Sequence, residues 1–96
     1  MRIVSITPAR NESWVLGFSL RAALRWVDHA VVLVHASTDG TLDVARAVQV
    51  EHVGRVTIIE ESDPVWREMA QRQRLLDTAR ACGATHVANI DADEVL

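Results

Sequence analysis

The chain has 96 residues, a net charge of −3 and a hydrophobic content of 49%, which together predict one small folded domain and exclude extensive disorder. No segment is basic enough to predict a nucleic-acid surface, and no run approaches the ~20 apolar residues that a transmembrane helix needs. The single cysteine, Cys82, excludes an internal disulfide and is typical of a reducing compartment. The N-terminus begins as a strand and not as a signal peptide, so we expect a cytoplasmic protein.

The first two predicted elements are a strand and a helix. RIVSIT (Arg2–Thr7) is short, rich in β-branched residues and followed by Pro8, and it predicts the first strand. ESWVLGFSLRAALRWV predicts a helix, with Asn11 or Ser13 as its N-cap. The tryptophans are expected in a core or an interface. The apolar residues at helical spacing are Trp14, Phe18, Ala22 and Trp26.

A buried strand, a turn, a helix and a third strand follow. AVVLVH (Ala30–His35) is a continuous apolar run, which is typical of a strand covered on both faces. ASTDGT predicts a turn, and Thr41 or Asp39 is placed to cap a helix over residues 41–51. RVTIIE (Arg55–Glu60) predicts the third strand.

The last helix and strand complete an alternating pattern. Asp63 followed by proline predicts a helix start, and Gly83 predicts its end near Cys82. THVANI (Thr85–Ile90) predicts the fourth strand. The order β-α-β-α-β-α-β predicts an α/β domain of three layers, α/β/α, with a mostly parallel four-stranded sheet. The expected apolar face of the last helix comprises Trp66, Met69, Leu76 and Ala79.

Polar clusters follow every predicted strand. The carboxyl ends of parallel strands meet along one edge of a sheet, where ligands bind in open α/β domains. We therefore expect the functional site at this edge. The four clusters are PARNE (Pro8–Glu12), HASTDGT (His35–Thr41), EESD (Glu60–Asp63) and DADE (Asp91–Glu94).

Two acids in the last cluster are candidate metal ligands. Side chains at i and i+2 of an extended chain point to the same side, so Asp91 and Asp93 can converge on one target. Carboxylates that lie this close repel each other unless a cation is between them. Mg²⁺ and Mn²⁺ typically bridge one or two carboxylates to substrate phosphates. The alternative for an Asp-x-Asp motif is an ordinary solvated turn.

Three motifs occur in order along the chain: VSITPARNES, STDGT and IDADE. In this order they resemble the nucleotide-sugar-binding half of family 2 glycosyltransferases, over essentially all 96 residues. The resemblance implies the Rossmann-like half of a GT-A fold. It also implies that residues 1–96 form a single nucleotide-sugar-binding domain.

The resemblance implies donor-binding roles for the loop after the first strand. Thr7 and Pro8 would line the nucleobase pocket, and Glu12 would reach the nucleoside. Arg10 and Asn11 are placed in the same donor-binding segment. Asn11 is alternatively a helix cap, and Glu12 alternatively interacts with the dipole of the following helix.

The resemblance also assigns residues further along the chain. Asp39 would shape the turn after the second strand, although it could equally be a turn residue only. Arg72 matches an arginine that approaches the base or the diphosphate. Asp91 would contact the ribose or the water shell of the metal, and Asp93 would bind the metal. Glu94 continues the acidic signature.

Two positions depart from the family pattern. The family usually has an aspartate that contacts the base three residues before Ser37, whereas this chain has Val34. The neighbouring His35 could offer a ring hydrogen bond in its place. Where the family often has arginine followed by asparagine, this chain has Arg72 followed by Gln73.

The implied activity is inverting transfer of a sugar from a UDP- or GDP-linked donor to an acceptor hydroxyl, with Mn²⁺ or Mg²⁺ offsetting the charge of the diphosphate. In the family, the acceptor-binding half and the general base lie beyond the acidic motif. We therefore expect a fragment or truncated product that binds the donor, does not catalyse transfer alone, and self-associates through an exposed sheet edge. No catalytic residue is assigned.

The alternative is a non-catalytic nucleotide-binding or assembly module of the same fold, which Val34 favours. A dinucleotide-binding oxidoreductase is disfavoured because no G-x-G-x-x-G follows the first strand. A P-loop enzyme is excluded because the G-x-x-x-x-G-K-[ST] motif is absent.

Overall fold

The computed structural model of the chain describes residues 1–65 and 67–93. All four strands are parallel and lie in the order β3-β2-β1-β4. The predicted α/β class with a parallel four-stranded sheet is confirmed, and so is the second helix. The proposed places of Trp66 on the third helix and of Glu94 in the acidic motif lie outside the described residues. The elements are β1 (Ile3–Ala9), α1 (Leu16–Ala23), β2 (His29–His35), α2 (Thr41–Glu51), β3 (Val56–Glu61), α3 (Glu68–Ala81) and β4 (His86–Asn89).

The sheet is covered on both faces, as parallel sheets require. Helices α1 and α2 pack on one face, where Leu16, Leu20 and Val48 join a buried cluster with Val32. Helix α3 packs on the other face, against β1 and β2. Every residue of β2 is buried, which explains its continuous apolar sequence. None of the helices within the described ranges is long and apolar enough to cross a membrane.

Strand β1 continues through Pro8 to Ala9, so the prediction that it ends before Pro8 is wrong. On the β2 side, Pro8 is paired with Leu33. On the β4 side, pairing stops at Ile6 opposite Asn89. Proline is tolerated in a strand where no neighbour requires its missing N–H, and the short β4 creates such a position.

Helix α3 begins at Glu68, not at the predicted Asp63. The Asp63 carboxylate accepts a hydrogen bond from the Val65 N–H at 3.0 Å and pairs with Arg67. This carboxylate therefore stabilises a turn that precedes the helix. The predicted end is confirmed, because Gly83 has a φ of 85° and stops the helix directly after Cys82.

The apolar stripe predicted for α1 does not face the core. Trp14 and Phe18 are 70% and 68% exposed, and Trp26 is 44% exposed. A second stripe, which includes Leu16 and Leu20, is buried instead. The two stripes are offset by two residues, which corresponds to about 200° around an α-helix. These two tryptophans therefore do not lie in the core of the chain, and the alternative expectation, that they lie in an interface, stays a prediction.

The buried face of α3 also differs from the predicted one. Met69 is 87% exposed, although the prediction placed it on the apolar face. The side chains that face the sheet are Gln71, Leu75 and Ala79, at i, i+4 and i+8. A polar residue therefore occupies a core-facing position near the start of this helix.

We expect the two stripes of α1 to differ in their contribution to stability. Leu20→Ala leaves a cavity against the sheet and should lower the free energy of unfolding by about 2 to 5 kcal/mol. Phe18→Ala, at the exposed stripe of the same helix, should change it by less than about 0.5 kcal/mol. Urea denaturation of both variants measures the difference. Equal losses would contradict this assignment of the buried face.

We propose that the chain self-associates along β4, which is an edge strand of the sheet. Val87 of this strand is 40% exposed, and unpaired strand edges promote association. The average mass from light scattering should rise with protein concentration, and Val87→Lys should reduce that rise. A wild-type monomer at high concentration would contradict the proposal.

Candidate functional site

Hydrogen bonds join the loop after β1 to the loop after β2. The Asn11 side-chain oxygen accepts from the Thr38 N–H at 2.8 Å, and the Asn11 N–H donates to the Ser37 hydroxyl at 3.0 Å. The Glu12 N–H donates to the Thr41 hydroxyl at 2.9 Å. Asn11 adopts a φ of 52°, a left-handed conformation that asparagine tolerates better than most residues. These bonds hold two of the predicted polar clusters together.

Asp39 accepts hydrogen bonds from both loops. One oxygen accepts from the Ser13 N–H at 3.2 Å and the Ser13 hydroxyl at 2.8 Å. The other accepts from the N–H of Thr41 at 3.1 Å and from its hydroxyl. The Thr41 hydroxyl, with smaller contributions from Ser13, lowers the pKa of the Asp39 carboxyl from 3.8 to about 2. Of the two residues predicted to cap α2, Asp39 is the one that accepts hydrogen bonds at the start of the helix, although the N-cap position itself is occupied by Gly40.

In this geometry, Asn11 and Asp39 have a structural role. Their side-chain oxygens are engaged in holding the loops, and this arrangement places the start of α1 beside the start of α2. Direct contact of either residue with a ligand stays a prediction.

A cleft lies at the boundary between β1 and β4, where the order of strand connection reverses. This is the position at which open α/β sheets bind ligands. It contains two of the predicted donor-binding residues, Pro8 and Arg72. The Arg72 guanidinium lies 3.7 Å from the Glu68 carboxylate, and both side chains are largely exposed, so the pair is weak. The lining residues are Ile6, Pro8, Glu68, Gln71, Arg72, Leu75 and Asn89.

The acidic motif follows β4 at the same edge. The Ile90 N–H donates to the Ile6 carbonyl at 3.1 Å, which holds the start of the motif beside β1. Asp91 and Asp93 are exposed, whereas Ala92 between them is 4% exposed. This segment is a turn and not the extended chain that was predicted, because β4 already ends at Asn89. Both carboxylates are nevertheless accessible, since the buried residue is the one between them.

The two carboxylates suit a hard divalent cation. Among residues 1–65 and 67–93, no group of three or more His, Cys, Asp or Glu side chains is arranged to hold a metal. Mg²⁺ and related ions do not require such a cage, because they are commonly held by one or two carboxylates together with substrate phosphates. The oxygen donors of Asp91 and Asp93 therefore fit a cation that arrives with a phosphorylated ligand.

The other predicted residues occupy different positions. Thr7 is buried in β1, and Arg10 is exposed just after that strand. The Glu12 carbonyl accepts from the N–H groups of Val15 and Leu16, so its backbone forms the turn that leads into α1. Of the predicted donor-binding residues, Pro8 and Arg72 line the same cleft.

Val34, the position where the family has an aspartate, lies at the buried end of β2. Val34 is 4% exposed and borders an open hollow of about 340 Å³ that Glu60 and Glu61 also line. His35 is fully buried, and its Nε2 lies 2.6 Å from the Asp63 carbonyl oxygen. His35 therefore joins β2 to the loop after β3, which explains why it does not present Nε2 at the surface.

Gln71 is the residue that sequence reasoning missed. It lines the cleft next to Arg72 and is only 5% exposed. The available signal was its helical spacing with Leu75 and Ala79, which places a polar side chain on the buried face of α3.

No protein-family model matches the chain, and no curated protein matches it. Among solved structures, the chain is similar to a mannosyltransferase from Pyrobaculum calidifontis in complex with GDP-Man and Mn²⁺, with a TM-score of 0.72 and 28% sequence identity. The similarity covers 96% of this chain and 27% of that chain, so this chain spans about a quarter of the length of that enzyme. The chain thus has an α/β, Rossmann-like glycosyltransferase fold.

We expect loss of the Asp39 carboxylate to separate the two loops. Asp39→Ala should lower the melting temperature at pH 7, whereas Asp43→Ala, at an exposed position in the first turn of α2, should lower it less. The folded pKa of about 2 lies below the ordinary 3.8. The stabilisation is therefore fully present above pH 3.8 and is lost as the pH falls towards 2.

Thermal denaturation at a series of pH values measures this effect. The difference in melting temperature between wild type and Asp39→Ala should shrink below pH 3.8. A difference that stays constant down to pH 2 would refute the assigned role of the carboxylate.

Proposed function

We propose that residues 1–96 are the nucleotide-sugar-binding domain of a family 2-like glycosyltransferase with a GT-A fold. The observation that carries the proposal is the meeting of the Asp91-Ala92-Asp93 motif with the end of β1 at the reversal of strand order. The similarity to an enzyme in complex with GDP-Man and Mn²⁺ supports it.

The donor is a nucleotide-diphosphate sugar, with GDP or UDP as the nucleotide. The nucleoside lies against the end of β1, near Thr7, Pro8 and Glu12. The exposed guanidinium groups of Arg10 and Arg72 are available to the negative charge of the diphosphate. The hydrogen bonds of Asn11 and Asp39 hold the loop at this end of β1 against the loop after β2.

Asp93, with Asp91, holds a divalent cation, Mn²⁺ or Mg²⁺. When bound, such an ion offsets the charge that develops on the departing diphosphate. The carboxylates would orient the diphosphate by holding the cation to which it binds, and they do not take part in proton transfer. The proposed domain therefore binds and orients the donor.

The proposed reaction is inverting transfer to an acceptor hydroxyl. The hydroxyl oxygen forms a bond to the anomeric carbon from the side opposite the diphosphate, the bond to the diphosphate breaks, and a general base removes the hydroxyl proton. None of the residues described above is assigned as that base. Donor binding is consequently the part of the reaction that we attribute to residues 1–96.

A second candidate is a nucleotide-binding module without transferase activity. The burial of Val34 at the position where a carboxylate was expected favours it, because the valine side chain cannot accept a hydrogen bond from a base. The two candidates differ in whether nucleotide binding depends on a metal.

We expect calorimetric titration with GDP or UDP to show binding that requires Mn²⁺. Asp93→Ala should weaken that binding by at least about tenfold, since even outer-shell partners of a metal contribute this much. Asp77→Ala removes an exposed acid from α3 and serves as the control that should bind normally.

Binding that is unaffected by metal would favour the non-catalytic module over the transferase. If neither nucleotide binds, with or without Mn²⁺, both candidates are wrong.

A further inference from the structure

An open hollow lies at the carboxyl ends of β2 and β3, on the face of the sheet that α2 covers. Its volume of about 340 Å³ is within the range of about 300 to 1,000 Å³ that is usual for ligand pockets. Val34 and the partly buried Leu42 of α2 give it an apolar inner surface. The hollow therefore has room for a small planar group. Its lining residues are Val34, Ala36, Ser37, Leu42, Glu60, Glu61 and Ser62.

Glu60 places a carboxylate at the rim of this hollow. In the register of the sheet, Glu60 of β3 is paired with Val34 of β2, so the two side chains point to the same face. Its position two residues after Ile58, which packs against the cluster that contains Val34, agrees with this orientation. The Glu60 side chain is 57% exposed, so a ligand in the hollow can reach it.

The Glu60 carboxylate keeps capacity for a ligand. Its Oε1 accepts a hydrogen bond from Arg46 of α2 at 3.2 Å, and both side chains are more than half exposed, so this pair is weak. The other oxygen, Oε2, accepts no hydrogen bond from the residues that the structure describes. Glu61, in contrast, uses both of its oxygens, since one accepts from the Asp63 N–H and the other from Arg74, each at 3.1 Å. Of these two acids, Glu60 is therefore the one that can accept from a ligand.

The hollow and the acidic motif lie on opposite sides of the end of β1. In the strand order β3-β2-β1-β4, the hollow lies between β3 and β2, whereas Asp91 and Asp93 follow β4. Neighbouring strands are ~4.8 Å apart, so the two places are separated by about 12 Å along this edge of the sheet. A nucleoside diphosphate has a similar length from its base to its second phosphate. With the diphosphate at the acidic motif and the ribose at the end of β1, the base reaches the hollow.

The chemistry of the hollow favours one kind of base. An ionised carboxylate only accepts hydrogen bonds, so the ligand group beside Glu60 must donate them. Guanine has a ring N–H next to an amino group, and the two oxygens of one carboxylate can accept from both. Uracil has one ring N–H between two carbonyl oxygens, which a carboxylate repels. The sugar of the donor is attached to the second phosphate and therefore lies away from the hollow.

We infer that Glu60 is a base-selecting residue, whose carboxylate accepts hydrogen bonds from the ring N–H and the amino group of guanine in this hollow. This inference rests on the proposed function and adds to it the residue that selects GDP over UDP. It predicts that Glu60 affects affinity only when the ligand carries a base.

The test compares wild type with Glu60→Gln in calorimetric titrations with GDP, UDP and inorganic pyrophosphate, all with Mn²⁺. Wild type should bind GDP more tightly than UDP. Glutamine keeps the size of the side chain, but its amide N–H would face a donor of guanine. The affinity for GDP should fall about tenfold, as expected for one charge-assisted hydrogen bond at a half-exposed site. The affinity for UDP should stay the same or rise, and pyrophosphate affinity should not change.

Arg46→Gln is the matched control. It breaks the same ion pair as Glu60→Gln but keeps the carboxylate, and Arg46 lies outside the lining of the hollow. GDP affinity should therefore be retained in this variant. Because the broken pair is exposed, the melting temperatures of both variants should stay close to that of wild type.

Equal GDP affinity in wild type and Glu60→Gln would overturn this inference and leave the proposed function intact. An equal loss of GDP affinity in Glu60→Gln and Arg46→Gln would also overturn it, since that result assigns the effect to the ion pair. A wild type that binds UDP as tightly as GDP would overturn it as well. If wild type binds neither nucleotide, the proposed function itself is wrong, and this inference falls with it.

Discussion

The arrangement of the candidate site depends on the Asp39 carboxylate. Four hydrogen bonds from Ser13 and Thr41 converge on its two oxygens. Bonds to an ionised group are roughly twice as strong as those between neutral groups, and the lowered pKa of Asp39 reflects the same interactions. Because Ser13 precedes α1 and Thr41 begins α2, one side chain sets the positions of both helices and of the loop after β1.

The early end of β4 leaves a cleft on the side of β1 that lies away from β2. Pairing between β1 and β4 stops at Ile6, so the last part of β1, including Pro8, has no strand beside it there. A cleft forms at this place, with α3 as its other wall. The proposed donor site thus combines a firmly held loop on one side of β1 with an open boundary on the other. The acidic motif leaves β4 at that boundary.

The errors in the helix assignments share one cause. In the segment that was predicted as the first helix, the aromatic residues and the aliphatic residues each repeat with helical periodicity, so periodicity alone cannot identify the buried face. The sheet selects the aliphatic side, where Leu16 and Leu20 pack closely on the strands. In α3, the sheet likewise selects the face that contains Gln71. The periodicity of a helix therefore predicts its existence better than its orientation.

The sequence by itself determined the order of elements, the parallel sheet and the edge on which the polar clusters lie, because strand and helix patterns are local and parallel topology follows from their alternation. It also identified Asp91, Asp93, Pro8 and Arg72 as candidates. Only the tertiary structure decided that Asn11 and Asp39 hold loops together and that His35 and Gln71 are buried. These properties arise from contacts between residues that are distant along the chain, and a local sequence pattern does not predict which donor and acceptor form a hydrogen bond.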